Sequence, residues 1–218
     1  MRCSRCHADN PAGIRFCGQC GAPLEASGLV PAARPALPGE MKQVSVLFCD
    51  IVGSTPMTAR LGAEAMRDLV AAFLEMSLAE VHRYGGAAPQ FSGDGFMALF
   101  GAPVTQEDHV RRALLAALAI QQALGSDEGG AADPKRMALP VRIGVHTGPV
   151  VFGPLSDRLP MDATAIGDTA NVAARLQQVA EPGTVLLSEA TWLPAQGFAR
   201  VAPVGPLTLR GKAEPVLA

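Results

Sequence analysis

Two aspartates stand where carboxylates can do chemistry. Asp50 lies within Val44–Val52, a mostly apolar run that predicts a strand buried on both faces. Asp94 is flanked by glycines between two apolar runs, a pattern that predicts the turn of a β-hairpin. Each residue alone has an ordinary explanation, because Asp50 can form an ion pair or cap a following helix and Asp94 can be a solvated turn residue.

Taken together, the two aspartates predict a metal site. A hairpin that pairs beside the first strand brings both carboxylates to one edge of the sheet, and no lysine or arginine is close in sequence to either. Mg²⁺ usually takes one or two carboxylates, several waters and phosphate oxygens. Asp50 and Asp94 therefore outline a phosphoryl-transfer site, in which two metal ions can activate a hydroxyl and neutralise a leaving phosphate.

Further polar residues fit the same chemistry. Asn171 and Arg175 are four residues apart in a helical segment, so they point the same way. Alone they are better explained as a solvated helix face, but a guanidinium fixed beside phosphates stabilises the charge that builds up during transfer. Arg142 and Arg210 offer additional positive charges for phosphate.

A different kind of site lies at the N-terminus. Two Cys-x-x-Cys pairs, separated by a short loop, consist of Cys3, Cys6, Cys17 and Cys20. Four thiolates suit tetrahedral Zn²⁺ and leave no open position for a substrate water, so the expected role is structural. A redox dithiol is the alternative, although two pairs are harder to explain in that way.

Composition limits the classes of partner. The 218 residues are 49% hydrophobic and 17% charged, which suits one soluble domain with a small appendage. A net charge of -2 without a basic run argues against nucleic acid as a partner. No apolar run is long enough to span a membrane and the N-terminus lacks a signal-peptide core, so the chain is expected to be cytoplasmic, where thiols stay reduced.

The chain divides into three regions. We expect a zinc ribbon at residues 1–23 and a Pro/Ala-rich linker at 24–40. The main domain then occupies 41–218.

The pattern of the main domain predicts its fold class. The order strand, helix, hairpin, helix, strand indicates an α+β domain with an antiparallel ferredoxin-like sheet and helices on one face. The second helix is expected to be capped near Thr105 and to end at Gly125. A later helix is expected to begin at Gly167-Asp168, with short strands near 161–166, 185–187 and 207–209.

Five motifs give the main domain a family resemblance. In chain order they are VSVLFCDIVGST, FSGDGFMALFGAP, VRIGVHTG, TAIGDTANVAARL and LTLRGK. Their order and spacing resemble those of class III adenylyl and guanylyl cyclase catalytic domains, over nearly all of residues 41–218. The resemblance implies the fold of that family and the conversion of a purine nucleoside triphosphate to its 3′,5′-cyclic monophosphate and pyrophosphate.

The resemblance also implies a metal centre. Asp50 and Asp94 would hold two Mg²⁺ or Mn²⁺ ions, with the backbone carbonyl of Ile51 as a further ligand. The ribose 3′-hydroxyl would attack the α-phosphorus, and pyrophosphate would leave without a covalent enzyme intermediate.

Four other residues receive roles from the resemblance. Arg142 would bind the triphosphate, Asn171 would orient the ribose, and Arg175 would stabilise the transition state. Arg210 would contact the terminal phosphates. Because the family divides these residues between two subunits, one copy of each motif per chain implies a homodimer with two composite sites.

The positions that select the base depart from the family pattern. They are Gln90 and Thr164. Threonine is one of the familiar residues there, whereas glutamine replaces a lysine and offers an amide that can donate or accept a hydrogen bond. We expect ATP as the substrate, with GTP as the alternative. A nucleotide-binding regulatory domain without turnover is the competing hypothesis.

Two features point to a larger context. The family continues into a last strand beyond the position of Ala218, so the chain is expected to be a truncated part of a longer signalling protein. The zinc ribbon is a candidate surface for a protein partner, and on a third hypothesis the chain is an adaptor.

Overall fold

The structure is a computed structural model and describes residues 2, 6–9, 40–125, 139–153 and 164–218. The chain divides into two units, Met1–Leu37 and Pro38–Ala218. Almost all of the predicted linker lies outside the described residues, so its bounds remain a prediction. None of the described helices is long and apolar enough to cross a membrane.

The larger unit has the order of strands and helices expected of a ferredoxin-like fold. In chain order its elements are β1 (Glu40–Ile51), α1 (Ser54–Leu61), α2 (Ala63–Arg83), β2 (Ala87–Ser92), β3 (Gly95–Phe100), α3 (His109–Leu124), β4 (Val141–Gly153), β5 (Thr164–Ile166), α4 (Asp168–Val179), β6 (Val185–Leu187), α5 (Glu189–Trp192), β7 (Pro206–Leu207) and β8 (Val216–Leu217). A short 3₁₀ helix, Leu193–Ala195, follows α5.

The main sheet has β1 at its centre. Its strands lie in the order β2-β3-β1-β4-β5, and β6 pairs with β4. All neighbours are antiparallel except β6, which runs parallel to β4. β7 and β8 form a separate two-stranded sheet. The predicted antiparallel ferredoxin-like sheet is therefore confirmed.

One face of the main sheet packs against α2 and α3. Buried residues of this core include Leu47, Cys49, Ala98, Ile143 and Val145 from the sheet, and Phe73 and Ile120 from the helices. Since side chains alternate between the two faces of a strand, Asp50 of β1 and Arg142 of β4 lie on the opposite face.

That opposite face is covered by α4. Val46, Leu99 and Ala173 belong to one buried cluster that joins β1, β3 and α4. The helix lies so close to β4 that a Cβ at Gly144 would come within 2.2 Å of the Gln177 amide nitrogen. The expectation that the helices lie on one face is therefore wrong, because glycine in β4 lets α4 pack on the other side.

The observed elements differ from the predicted ones at several boundaries; β1, for example, begins at Glu40 rather than at Val44. The sequence pattern does not predict α1, because this helix has no buried residue and hence no apolar stripe. The α3 helix begins at His109 rather than near Thr105, although it ends before Gly125 as predicted. β7 ends at Leu207, and Leu209 is instead buried in a cluster with α4. The α4 helix and β6 lie where the sequence places them.

Candidate active site

The end of β1 holds the first candidate metal ligand. Asp50 pairs with Arg142 of β4 on one side and with Gly95 of β3 on the other. A Cβ at residue 95 would lie 2.7 Å from Oδ1 of Asp50 and 2.7 Å from the carbonyl oxygen of Cys49. Gly95 therefore leaves the space that the Asp50 carboxylate occupies. The hairpin pattern in the sequence does not reveal this second role.

Asp94 lies in the β2–β3 turn beside Asp50. The backbone N–H of Ile51 donates to the carbonyl oxygen of Asp94 at 3.3 Å, which ties the turn to the end of β1. The two carboxyl groups are also within hydrogen-bonding distance of each other. The structure thus brings together the two carboxylates that the sequence singles out.

The electrostatics of this pair favour a bound cation. Burial, the negative charge of Asp94 and a hydrogen bond between the two side chains raise the pKa of Asp50 to about 6, although the positive charge of Arg142 opposes the shift. Two carboxylates this close repel each other unless a proton or a cation lies between them. A divalent cation would remove the repulsion.

Asp50 and Asp94 fit a metal ion whose other ligands are water and substrate oxygens. Across the described ranges, no group of three or more His, Cys, Asp or Glu side chains is placed to hold a metal ion. Mg²⁺ binds through one or two carboxylates and completes its shell with water and phosphate oxygens, so Asp50 and Asp94 are sufficient. The side chain of Ile51 is buried against the opposite core, which leaves only its backbone carbonyl for a metal.

Arg142 adds a positive charge on the same face of the sheet. Its Nε is buried and has no hydrogen-bond partner in the part of the chain that the structure describes. A buried donor without a partner is costly, so such a group calls for an explanation. A phosphate oxygen would satisfy this nitrogen with a charge-assisted hydrogen bond.

An open cavity of about 510 Å³ borders Asp94. Its lining comes from α1, α2 and the β2–β3 turn, and consists of Ser54, Thr55, Thr58, Ala59, Met66, Val70, Gly93 and Asp94. The α1 helix starts after Gly53, which is left-handed with φ 71°, and no side chain caps its N-terminus. The N-terminal end of a helix attracts anions, so the cavity suits phosphate groups. From the sequence alone, Ser54 and Thr55 are the residues of the following helix that Asp50 could cap, and no sequence pattern links them to phosphate.

The second set of predicted residues lies on α4 and in the turn that follows β7. Asn171 is exposed and Arg175 is half-buried. Neither side chain makes a hydrogen bond or ion pair within the described residues. A Cβ at Gly211 would lie 3.4 Å from Nη2 of Arg175, so the turn that carries the exposed Arg210 reaches the Arg175 guanidinium.

The predicted residues therefore form two clusters. One contains Asp50, Asp94 and Arg142, and the other contains Asn171, Arg175 and Arg210. Among the described side chains, no hydrogen bond or ion pair connects the two clusters. Each cluster holds half of the groups that the sequence analysis assigns to one site.

The two positions assigned to the base lie on strands that are not neighbours. Gln90 is exposed on β2. It pairs with Met97 of β3, which in turn pairs with Phe48 of β1. Thr164 begins β5, at the other end of the strand order. The described residues leave out the Thr164 side chain, so a shared contact of both residues with a base remains a prediction.

The N-terminal unit is described only around one of the predicted zinc ligands. Cys6 is exposed, and a β-bridge between Arg2 and Asp9 closes the turn that contains it. Nε of Arg2 donates to the carbonyl oxygen of His7 at 3.0 Å. Cys3, Cys17 and Cys20 lie outside the described residues, so the four-thiolate ligand set remains a prediction.

Comparison with known families identifies the class of both parts of the chain. The adenylate and guanylate cyclase catalytic domain family matches residues 38–217, and a zinc-ribbon domain family matches residues 2–24. The chain therefore belongs to the family of adenylate and guanylate cyclase catalytic domains, with a zinc ribbon at its N-terminus.

Individual relatives and solved structures support the same class. An uncharacterized protein of Mycobacterium tuberculosis is 36% identical over 188 residues, which are 84% of this chain and 32% of the relative. The chain thus spans about a third of that relative's length. The adenylyl cyclase CyaB from P. aeruginosa has a TM-score of 0.74 and 29% identity, covering 83% of this chain and 94% of that chain. The guanylate cyclase domain of RhGC from Catenaria anguillulae, in complex with GTP, has a TM-score of 0.71 and 26% identity, covering 82% and 95%.

Proposed function

We propose that this chain converts ATP to 3′,5′-cyclic AMP and pyrophosphate, with GTP as a secondary substrate. Membership of the cyclase family supports the reaction class. The observation that carries the proposal is the close approach of the Asp50 and Asp94 carboxylates beside a cavity that suits phosphate groups. Such a site fits transfer at a phosphorus atom rather than simple nucleotide storage.

The metal-binding part of the proposed site consists of Asp50, Asp94 and the carbonyl of Ile51, which would hold two Mg²⁺ or Mn²⁺ ions. When bound, these ions lower the pKa of the ribose 3′-hydroxyl and neutralise charge on the leaving group. The bond between the 3′-oxygen and the α-phosphorus forms as the bond from that phosphorus to the bridging oxygen breaks. The hydroxyl proton passes to solvent water, and pyrophosphate leaves.

Four residues would act on the rest of the nucleotide. Arg142 would pair its unsatisfied Nε with a phosphate oxygen, while the N-terminus of α1 binds a neighbouring phosphate. Arg175 would stabilise charge on the reacting phosphoryl group, and Arg210 would hold the terminal phosphates. Asn171 would orient the ribose by hydrogen bonding, so that its hydroxyl faces the α-phosphorus.

We further propose that the active enzyme is a homodimer. The lack of a hydrogen bond or ion pair between the two clusters, among the described side chains, supports this arrangement. One protomer would supply the metal cluster and its partner the Asn171 and Arg175 cluster. A two-fold dimer of identical chains would then contain two complete sites.

A product assay tests the proposed reaction. The purified chain is incubated with Mg²⁺ or Mn²⁺ and either ATP or GTP, and cyclic nucleotides are quantified by chromatography. We expect cyclic AMP to exceed cyclic GMP, and Asp50→Ala or Asp94→Ala to abolish both. Asp68→Ala is the matched control, because Asp68 is an exposed aspartate on α2 that pairs with Arg67. Absence of product in every combination would reject the proposal.

A nucleotide-binding regulatory domain is the second candidate function. Gln90 favours it, because a neutral amide stands where the family usually has a lysine. Nucleotide that binds without cyclic product would support this alternative. The variant Gln90→Lys distinguishes a weak cyclase from a regulatory domain. A weak cyclase should gain ATP turnover, whereas a domain that lacks catalysis for other reasons should not.

The zinc ribbon is proposed to hold one structural Zn²⁺ through Cys3, Cys6, Cys17 and Cys20 and to bind a protein partner. Removal of residues 1–23 tests whether the zinc ribbon is independent of the catalytic domain. We expect cyclase activity to persist and zinc content to fall to zero. Loss of activity on deletion would show that the ribbon is part of the catalytic unit.

A further inference from the structure

A short turn after β7 is fixed to α4 at both of its ends. Leu209 is buried in a cluster with α4, and the backbone N–H of Lys212 donates to the Leu209 carbonyl oxygen at 3.0 Å. Nζ of Lys212 donates to Oδ2 of Asp168, the first residue of α4, at 2.5 Å. Only Arg210 and Gly211 lie between these anchors.

One face of α4 carries Asp168 of the ion pair and the proposed catalytic residues Asn171 and Arg175. Asp168, Asn171 and Arg175 are spaced three and four residues apart, so they follow one another along one face of the helix. Gly211 has φ 77°, and a Cβ at this position would lie 3.4 Å from Nη2 of Arg175. The turn is therefore anchored to α4 at Asp168 and passes close to the Arg175 guanidinium.

The ion pair of Lys212 with Asp168 is only partly shielded from solvent. The Lys212 side chain is 29% exposed and that of Asp168 is 65% exposed. A partly exposed ion pair contributes little to folding stability. The pair is better explained by the geometry that it imposes on its neighbours.

We propose that the Asp168–Lys212 ion pair is a positioning element that orients Arg175 and Arg210 towards the triphosphate. This inference rests on the proposed cyclase function. The pair holds the turn that contains Arg210 close to the Arg175 guanidinium. On this proposal, both arginines then meet the phosphates in one geometry. A small displacement of a catalytic group lowers the reaction rate strongly. The ion pair therefore affects kcat through the positions of Arg175 and Arg210, without contacting the substrate itself.

The kinetic test removes each charge separately and then both together. We expect Lys212→Met and Asp168→Asn each to lower kcat about tenfold, with the double variant no worse than either single variant. Lys212→Arg should restore most of the activity, because it retains the charge. Lys42→Met is the matched control, since Lys42 pairs with Glu40 at 3.2 Å at the start of β1. If Lys212 instead binds phosphate on its own, Asp168→Asn will keep full activity, and the proposal is overturned.

His146 provides a readout that does not depend on activity. Burial lowers the pKa of His146, while the Asp168 charge raises it and the Lys212 charge lowers it. NMR titration of the His146 ring should therefore show a higher pKa in Lys212→Met and a lower pKa in Asp168→Asn. An inactive wild-type chain would reject both the proposed function and this inference. An active chain whose variants change neither kcat nor the His146 pKa would reject the inference alone.

Discussion

The carboxylate of Asp50 occupies a space that depends on the absence of a side chain at position 95. Both oxygen atoms that a Cβ would meet, Oδ1 of Asp50 and the carbonyl oxygen of Cys49, lie at 2.7 Å. The Cys49 oxygen belongs to the backbone of a buried strand and cannot rotate away. Gly95 thus sets the position of a carboxylate that is proposed to bind a metal ion.

Substitution of Gly95 tests this dependence. In Gly95→Ala we expect the Asp50 carboxylate to be displaced, which should raise the Mn²⁺ concentration needed for half-maximal activity about tenfold and cost about 1–3 kcal/mol of unfolding free energy. Activity against Mn²⁺ concentration and urea unfolding measure the two effects.

A glycine in the turn between α4 and β6 provides the control for strain. Gly183 has φ 79° and no atom within 4 Å of its Cβ position, so Gly183→Ala introduces backbone strain without meeting Asp50. That variant should lose stability and retain the wild-type metal requirement. An equal change in metal requirement for both variants would contradict the role of Gly95.

At the scale of the elements, glycines in β4 determine how closely α4 packs. A Cβ at Gly144 would lie 2.2 Å from the Gln177 amide nitrogen and 2.4 Å from the Ala173 carbonyl oxygen, and both atoms belong to the helix backbone. A Cβ at Gly148 would meet only the side chain of Thr169, at 2.7 Å. A side chain can rotate, whereas the helix backbone must move as a whole.

These two glycines give a graded prediction. Gly144→Ala should destabilise the domain by about 1–3 kcal/mol or more and lower kcat, because α4 carries Asn171 and Arg175. Gly148→Ala should cost less stability and leave kcat closer to that of the wild type. Urea unfolding and initial rates at saturating ATP check both. Equal effects of the two substitutions would mean that helix displacement is not the cause.

The first turn of α3 is attached to the sheet by a half-buried histidine. Nδ1 of His109 lies 2.9 Å from Oγ of Ser45, which lies 2.9 Å from Oγ1 of Thr147. Burial lowers the pKa of His109, although the charge of Asp108 opposes this shift. The unfolded chain therefore binds this proton more readily than the folded chain.

This difference predicts a pH dependence of stability. Unfolding free energy should fall as the pH drops below the ordinary histidine pKa of about 6.5, because protonation then favours the unfolded chain. His109→Gln should show a smaller loss between about pH 7.5 and 5.5. His82→Gln, at an exposed position on α2, is the control and should behave like the wild type. An identical pH profile for His109→Gln and the wild type would contradict the assignment.

At the scale of the whole molecule, the order of elements follows from the sequence, but several contacts do not. The Asp50 strand and the Asp94 hairpin have clear local patterns, so their juxtaposition could be predicted. The α1 helix could not, because it buries none of its residues. The Asp168–Lys212 pair joins residues 44 positions apart, and no local pattern links them. The side of the sheet that α4 occupies depends on its close packing against Gly144, which periodicity does not show.

The shared-site arrangement can be tested by mixing two inactive chains. Asp50→Ala removes a proposed metal ligand, and Arg175→Ala removes the residue proposed for transition-state stabilisation. In a heterodimer of the two variants, one of the two sites contains only wild-type residues. Random pairing at equal amounts should therefore restore about a quarter of the wild-type activity.

Two observations are needed to interpret the mixing experiment. Formation of heterodimers is measured by native mass spectrometry on chains of different mass. Heterodimers that form and remain inactive would show that each site is built within one protomer.

The proposed division of each site between two protomers has a consequence for how activity varies with protein concentration. On that proposal, a lone protomer contains two incomplete half-sites, so activity per molecule should decline on dilution as pairs dissociate. Binding of several copies of the chain to one scaffold would then raise cyclic nucleotide synthesis, without any covalent change in the chain.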